Sequence, residues 1–191
     1  SEQTINFTII PTEVGTIEDV ITIEDEATKL SLNIPVTIHT QRNTQTIIWN
    51  DEVSSIYTTD NITFSAEAKT AITYESSDNN IAEVQNNQLI IKTSGVVTIT
   101  ATAAQDEKYE QATATKTITI SKATPVLEEL PIATSITYGS TLGTSILEGG
   151  STNVDGTWEW NADVAQVLNA GINDISVLFT PANTAWYSLL E

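Results

Sequence analysis

The sequence predicts an all-β protein built of β-sandwich modules joined end to end, and three observations lead to that class. Apolar and polar residues alternate with a period of two along most of the chain, as they do in strands with one buried face. These stretches recur about every eight to twelve residues and are separated by clusters of Asn, Asp, Gly and Ser, which is typical of sandwiches. A late segment also repeats one found about 80 residues earlier, the length of one small sandwich.

The strands follow from the alternation in chain order. Residues 30–38 place Leu, Ile and Val on one face and polar residues with Pro35 on the other. Because Pro35 cannot donate a ladder hydrogen bond, this run is predicted to be an edge strand or to contain a bulge. The other predicted strands contain Ile5, Phe7 and Ile9; Ile21 and Ile23; Ile62, Phe64 and Ala66; Ile72 and Tyr74; Val97, Ile99 and Ala101; Ile118 and Ile120; and Ile175, Val177 and Phe179.

Four short polar or glycine-containing segments are predicted to be turns between those strands. They are residues 77–80, 86–87, 149–150 and 154–156. The pair Asn86-Asn87 predicts a tight hairpin, because Asn tolerates the positive φ that such a turn requires. Turn signals at this density favour a sandwich over a parallel α/β sheet.

The internal repeat sets the predicted domain organisation. The segment ATAAQDEKY, which ends at Tyr109, aligns without gaps on FTPANTAWY, which ends at Tyr187. We therefore predict a linear array of a partial module with three or four strands (1–42), a complete sandwich (43–122) and a sandwich without its last strand (123–191). The two incomplete outer modules lead us to expect a section of a longer protein that is cut at both ends.

Composition excludes several classes of partner and chemistry. The chain has 25 acidic and 7 basic residues and a formal net charge of −18, which disfavours nucleic acid and anionic lipid surfaces as partners. It has no Cys, which excludes disulfides and thiolate metal sites. No apolar run is long enough to insert into a membrane.

The middle module carries the motifs of a known family. Its pattern is a strand ending in Ser-Ser-Asp, then Ile-Ala-x-Val, a hairpin, and a late Gly followed by Thr-Ile-Thr-Ala. In this it resembles the group 2 bacterial immunoglobulin-like domain, although that family commonly has Gly in the hairpin where this chain has Asn86-Asn87. The matching residues are Ser76-Ser77-Asp78, Ile81-Ala82-Glu83-Val84, Gly95 and Thr98-Ile99-Thr100-Ala101.

The third module resembles short immunoglobulin-like repeats of Bacteroidetes surface proteins over about 60 residues, a length suited to one small sandwich. The two resemblances imply tandem immunoglobulin-like sandwiches in an extracellular stalk, an adhesin or a non-catalytic part of a secreted protein. They imply neighbouring modules of the same parent chain as partners and no catalytic residues. The residues that carry the second match are Tyr138-Gly139, Leu142, Gly149-Gly150, Leu168-Asn169-Ala170-Gly171 and Phe179-Thr180-Pro181.

Residues with catalytic potential are few. The only histidine, His39, falls on the polar face of its predicted strand, where a general base would lack a partner. The carboxylate pairs Asp51-Glu52 and Asp106-Glu107 are adjacent in sequence, so they do not face each other across a cleft as glycosidase carboxylates do. We predict that the chain is not an enzyme and needs no cofactor.

Acidic loops are candidate calcium ligands, because a hard cation takes Asp, Asn, Glu and carbonyl oxygens. None of them has the spacing of a recognised calcium loop, and solvated acidic turns explain the same residues, so no metal site is assigned. The candidate groups are Asp78, Asn79 and Asn80; Asn153 and Asp155; and Asp106 and Glu107.

Aromatic residues separate the two hypotheses for function. Trp158 and Trp160 share a strand face. If that face is exposed, the two rings suit stacking on a sugar, and if it is buried, they suit a hydrophobic core. The first hypothesis is a spacer in which residues 122–125 form a hinge, with Trp49 and Trp186 also anchoring cores or junctions. The alternative is a module that binds a carbohydrate or a host protein.

Overall fold

A computed structural model describes residues 6–191, and its fold is all-β and of the sandwich type. The described chain divides into two compact units. One contains residues 6–49, 66–73 and 101–114, and the other contains residues 50–65, 74–100 and 115–191. Since residues 43–122 contribute to both units, the division into modules 1–42, 43–122 and 123–191 stays a prediction.

The first two strands form an antiparallel hairpin. Strand β1 is Gly15–Glu24 and strand β2 is Ser31–Thr40. Val20 lies opposite Pro35, and both strands are edges of this two-stranded sheet, as the prediction for Pro35 requires. The directly opposed residues on one face are apolar at three pairs, Ile17 with Ile38, Ile21 with Ile34, and Ile23 with Leu32.

The predicted strand at Ile5, Phe7 and Ile9 is wrong where the structure describes it. Ile5 lies outside the described residues, and Phe7 and Ile9 are exposed and belong to no strand. Residues 6–42 therefore contain two strands where three or four were predicted. Alternation alone cannot make a strand, because a strand also needs a neighbour to receive its backbone hydrogen bonds.

Nine strands follow between residues 48 and 121. They form a four-stranded sheet of order β4-β11-β10-β7, a three-stranded sheet of order β5-β9-β8 and a pair β3-β6. The strands are β3 (Ile48–Trp49), β4 (Ser55–Tyr57), β5 (Ile62–Thr63), β6 (Ala66–Glu67), β7 (Ile72–Ser76), β8 (Ala82–Gln85), β9 (Gln88–Ile91), β10 (Gly95–Ala103) and β11 (Ala112–Ser121).

Side chains from these sheets form the main core. Along β10 every second residue is buried, from Val97 to Ala103, as the alternation predicts. The buried apolar residues of these strands are Ile56, Ala82, Leu89, Ile91, Val97, Ile99, Ala101, Ala103, Ile118 and Ile120.

The predicted hairpin at Asn86-Asn87 is confirmed. The two residues connect β8 to β9 with φ values of 48° and 65°. Both values lie in the left-handed region that a two-residue hairpin turn of this kind needs, and Asn adopts that region more readily than most residues.

The predicted strand through Ile62, Phe64 and Ala66 is split into β5 and β6. The Phe64 N–H donates to Asn87 O at 2.7 Å, whereas the next carbonyl, Ser65 O, accepts from Asn50 N–H at 3.0 Å. The chain thus changes partner strand at this point, from β9 to β3.

The remaining strands form two antiparallel pairs. They are β12 (Leu127–Ala133) with β13 (Leu147–Thr152), and β14 (Gly156–Trp160) with β15 (Val177–Pro181). A 3-10 helix, Leu142–Thr144, precedes β13. The predicted turn at residues 149–150 is wrong, because both glycines lie inside β13, with φ values of 66° and 79°. The β12–β13 ladder shifts its register between Leu127 and Glu129.

Candidate functional site

The linker at residues 122–125, predicted to be a hinge, is held by backbone hydrogen bonds. The Ala123 N–H donates to Trp186 O at 2.9 Å, and Ser188 N–H donates to Ala123 O at 2.9 Å. These bonds form an isolated parallel bridge between Ala123 and Tyr187. Ala123 is buried, so the linker is part of the packed structure.

Thr58, which follows β4, connects this linker to the preceding strands. Its hydroxyl donates to Trp186 O at 2.5 Å and accepts from Ala123 N–H at 3.3 Å. Its own N–H donates to Ser121 O at 2.9 Å. Only 1% of Thr58 is exposed, and a buried hydroxyl that both donates and accepts is stabilising because neither capacity is left unsatisfied.

The indole ring of Trp186 also contacts the segment that follows β9. Its Nε1 donates to Lys92 O at 3.0 Å, just after β9, and the Thr93 hydroxyl donates to Ala185 O at 3.4 Å. We call Thr58, Lys92, Thr93, Ala123 and Trp186 the junction cluster. Trp186 therefore connects Ala123 with Lys92 within the second compact unit, and its role at a module junction stays a prediction.

The first compact unit contains the same backbone bridge. Asn43 N–H donates to Lys108 O at 2.8 Å, and Glu110 N–H donates to Asn43 O at 2.9 Å, which pairs Asn43 with Tyr109 in parallel. Tyr109 and Tyr187 are the residues aligned by the sequence repeat. The repeat therefore corresponds to a shared local structure, in which the start of a segment pairs with a late loop about 65 residues further on.

Trp158 and Trp160 lie on one face of β14, opposite Phe179 and Val177 of β15. The ring centroids of Trp158 and Phe179 are 5.1 Å apart with an interplanar angle of 53°, and Phe179 is buried. Trp160 Nε1 donates to Ser145 O at 3.1 Å. Both tryptophans are half-buried, and their contacts with Phe179 and Ser145 indicate a packing role.

The acidic loops use their side-chain oxygens to accept backbone hydrogen bonds. Asp78 Oδ1 accepts from Asn80 N–H at 2.8 Å. Asp106 Oδ1 accepts from the N–H groups of residues 108 and 109, both at 2.7 Å. Asn153 Oδ1 accepts from Val126 N–H at 2.7 Å. In residues 6–191 no group of three or more His, Asp or Glu side chains is placed to hold a metal ion.

One loop near these acids also contains a cation. Lys92 Nζ lies 2.7 Å from Glu83 Oε2 and donates to Asn79 O at 2.8 Å. The hydrogen bond from Lys92 lowers the pKa of Glu83 from its usual value of 4.5, and the hydrogen bond from Gln85 contributes less. The ammonium thus contacts the carbonyl of Asn79, one of the candidate calcium ligands.

We expect Lys92→Met to raise the pKa of Glu83 toward 4.5, because the substitution removes the main hydrogen bond to the carboxylate. In the wild type the stabilisation from this lowered pKa is present above pH 4.5 and is lost as the pH falls through the lower folded-state value. A carbon-detected NMR titration of the carboxylates measures both values.

Asp25 provides the control within the same titration. Its pKa is lowered by hydrogen bonds from Thr28 and Ala27, far from Lys92 in sequence. Lys92→Met leaves that pKa unchanged in the expected result. Equal shifts at Asp25 and Glu83 would show a general change of fold and contradict the assignment.

The structure shows the surroundings of the remaining candidates for catalysis, His39, Asp51 and Glu52. His39 is exposed, and its Nδ1 lies 3.0 Å from the Thr16 hydroxyl. Asp51 forms an ion pair with Lys116, whereas Glu52 is exposed.

Sequence reasoning did not identify Thr58, Lys92 or Thr93 as junction residues. Thr58 lies in a run of polar turn residues, and nothing in that run distinguishes a buried threonine from an exposed one. Trp186 was easier to identify, because this residue lies within the repeated segment.

A scan against protein-family models and a search of curated proteins returned no match to this chain. Within residues 6–191, no helix has the length and apolarity needed to cross a bilayer.

Proposed function

We propose that this chain is a non-catalytic spacer segment of an extracellular bacterial surface or secreted protein. The proposal joins the resemblance to tandem immunoglobulin-like modules with the junction cluster, which is the observation that carries it. A spacer must hold its neighbours at a fixed distance, and this requires linkers that do not bend freely.

The contacts of the junction cluster suit that role. Ala123 is fixed through both its N–H and its carbonyl, and Trp186 O accepts from both Ala123 and Thr58. Each of these hydrogen bonds contributes on the order of 1 kcal/mol, and four act within a few residues. Free rotation at residues 122–125 would require breaking several of them together.

A related set of contacts surrounds the other predicted boundary. Arg42 Nε donates to Asp106 O at 2.7 Å, next to the bridge between Asn43 and Tyr109. The backbone hydrogen bonds of Asn43 match those of Ala123. The recurrence favours a device for joining modules over an accidental contact at one linker.

The alternative, a module that binds a carbohydrate or host protein, has less support. It depends on an exposed aromatic platform, whereas Trp158 packs on Phe179 and Trp160 is hydrogen-bonded to Ser145. The partners that we propose for the spacer are the neighbouring modules of its parent chain.

Distances between two spin labels test the proposed rigidity, and the absence of native Cys makes labelling specific. Labels at Glu75→Cys and Glu159→Cys lie on exposed residues before and after the linker within the second compact unit. We expect a narrow distance distribution. A broad distribution in the wild-type background would overturn the spacer proposal.

Trp186→Phe is expected to broaden that distribution and to lower the stability of the junction by about 1 kcal/mol, because Lys92 O loses the indole N–H. Trp160→Phe is the matched control, since it removes an indole hydrogen bond to Ser145 O away from the linker. Equal broadening in both variants would mean that the cluster has no specific role.

A further inference from the structure

Lys116 lies on the inward-facing side of β11. Alternate residues of this strand, from Ala112 to Ile120, are half-buried or buried, and Lys116 occupies one of these positions. Only 12% of its side chain is exposed, compared with 43% for Lys92 and 72% for Lys29, which also form ion pairs. A lysine on the core side of a strand requires a specific partner, because burying an uncompensated charge is costly.

The partner of Lys116 is Asp51, which follows β3. Lys116 Nζ donates both to the backbone oxygen of Asp51 and to its Oδ1. The Asp51 side chain is 27% exposed, and its other carboxylate oxygen, Oδ2, is buried and accepts no hydrogen bond. A buried carboxylate oxygen without a donor is costly, so an ion pair by itself does not account for this arrangement.

Backbone hydrogen bonds hold the segment around Asp51 on both sides. Asn50 N–H donates to Ser65 O at 3.0 Å, and the Asn50 side-chain amide donates to Ser65 Oγ at 2.9 Å. Further along, Ser54 O accepts from the N–H of Thr119 in β11 at 2.9 Å. The fold therefore positions the amine of β11 against the carboxyl group, and such positioning accelerates a reaction between two groups.

We propose that Lys116 and Asp51 form an intramolecular amide bond between Nζ and Cγ. The Lys116 ammonium transfers a proton to the Asp51 carboxylate, and the neutral amine attacks Cγ. The N–C bond forms, one C–O bond breaks, and that oxygen leaves with two protons as water. One ammonium and one carboxylate thus give one amide and one water molecule, so the balance requires no oxidant, reductant or co-reactant.

The amide suits this environment better than the ion pair. It replaces two charges with a neutral group, which removes the cost of keeping both charges out of water. It also removes one of the two carboxylate oxygens, so fewer buried acceptors require a donor. Because Asp51 is partly exposed, the water that is released has a route to solvent.

The bond would join two residues that are 65 positions apart in the sequence. It links the segment before β4 to β11, the strand that pairs with β4. Tension applied to the chain on either side of this loop then passes through the amide and not through the hydrogen bonds of the sheet. The cross-link suits a spacer but does not rest on the spacer proposal, because it follows from the contacts of two side chains.

The mass of the intact, folded chain tests the proposal. We expect it to be about 18 Da below the mass calculated from the sequence, which corresponds to the loss of one water molecule. Trypsin digestion of the denatured protein then locates the bond. We expect residues 43–69 and 109–122 to remain joined as one cross-linked pair of peptides, with no cleavage after Lys116.

Two variants remove the reacting groups one at a time. Lys116→Arg keeps the positive charge but has no primary amine, and Asp51→Ala removes the carbon that is attacked. Both variants are expected to have the full mass calculated from their sequences. Lys92→Arg is the matched control, since it makes the same change in the ion pair with Glu83, and it is expected to keep the loss of water.

Thermal unfolding gives a second measurement. The cross-link restricts the unfolded chain, so the unfolding midpoint of the wild type is expected to lie about 10 °C or more above that of Lys116→Arg. Lys92→Arg is expected to unfold close to the wild-type midpoint. Circular dichroism checks that the variants fold.

Three results would overturn the proposal. The first is a wild-type mass equal to the calculated value after prolonged incubation of the folded protein. The second is a loss of water confined to the peptide of residues 43–69, which would indicate a cyclic imide at Asp51. The third is a loss of water that persists in Lys116→Arg or Asp51→Ala. The first two are measured on the wild type, so they do not depend on whether the variants fold.

Discussion

Ile56→Ala is expected to lower the free energy of unfolding by about 3 kcal/mol, because it empties a space in a closed core. Ile56 is buried and lies opposite Ile120 of β11. Ile136 follows Ala123 at the same spacing as Ile56 follows Asn43, and a Ser precedes each isoleucine. Ile136→Ala is expected to cost about 1 kcal/mol or less, since a half-buried side chain leaves less apolar area to lose and no closed cavity.

Urea unfolding followed by circular dichroism and tryptophan fluorescence measures both effects. The two substitutions are chemically identical, so their difference reports only the surroundings of the residue. Equal losses would mean that Ile136 is as well covered as Ile56, and this would contradict the difference in their burial.

Gly150→Ala is expected to destabilise the third module by about 3 kcal/mol. Gly150 has a φ of 79°, which disfavours a Cβ, and the added Cβ would lie 2.7 Å from Trp158 Nε1 and 3.0 Å from Pro131 N. The contact with Pro131 is with backbone, so it cannot be relieved by a side-chain rotation. Strain and overpacking therefore act together.

Gly149→Ala is the matched control. Gly149 has a similar φ of 66°, but an added Cβ would meet no atom within 4 Å. It is expected to cost about 1 kcal/mol from the left-handed backbone alone. The difference in unfolding midpoint between the two variants isolates the close packing of β13 against Trp158. Equal effects would show that this packing is absent.

Local patterns were sufficient for most strands. The alternation in residues 30–38 predicts β2 with the observed faces, and Asn86-Asn87 predicts the hairpin between β8 and β9. Both depend on neighbouring residues alone, on the two-residue period of a strand and on the tolerance of Asn for positive φ. For the same reason the repeat that joins Tyr109 to Tyr187 could be found from the letters of the sequence.

Other features depend on which segments become neighbours. Phe7 and Ile9 alternate like a strand and belong to none, and the segment through Phe64 changes its partner strand where the pattern shows no break. Gly149 and Gly150 have the composition of a turn and lie within β13. In each case the outcome depends on whether a residue distant in sequence provides a backbone hydrogen-bond partner.

The candidate site likewise has some features that the sequence predicts and others that depend on the tertiary structure. Sequence alone indicated an all-β chain with an internal repeat, because both follow from periodicity and from the order of residue types. Only the tertiary structure placed Thr58 against Ala123 and left Ile136 half-buried. Burial is a property of surroundings, and two isoleucines in matching sequence positions differ in it because only one has a strand packed over it.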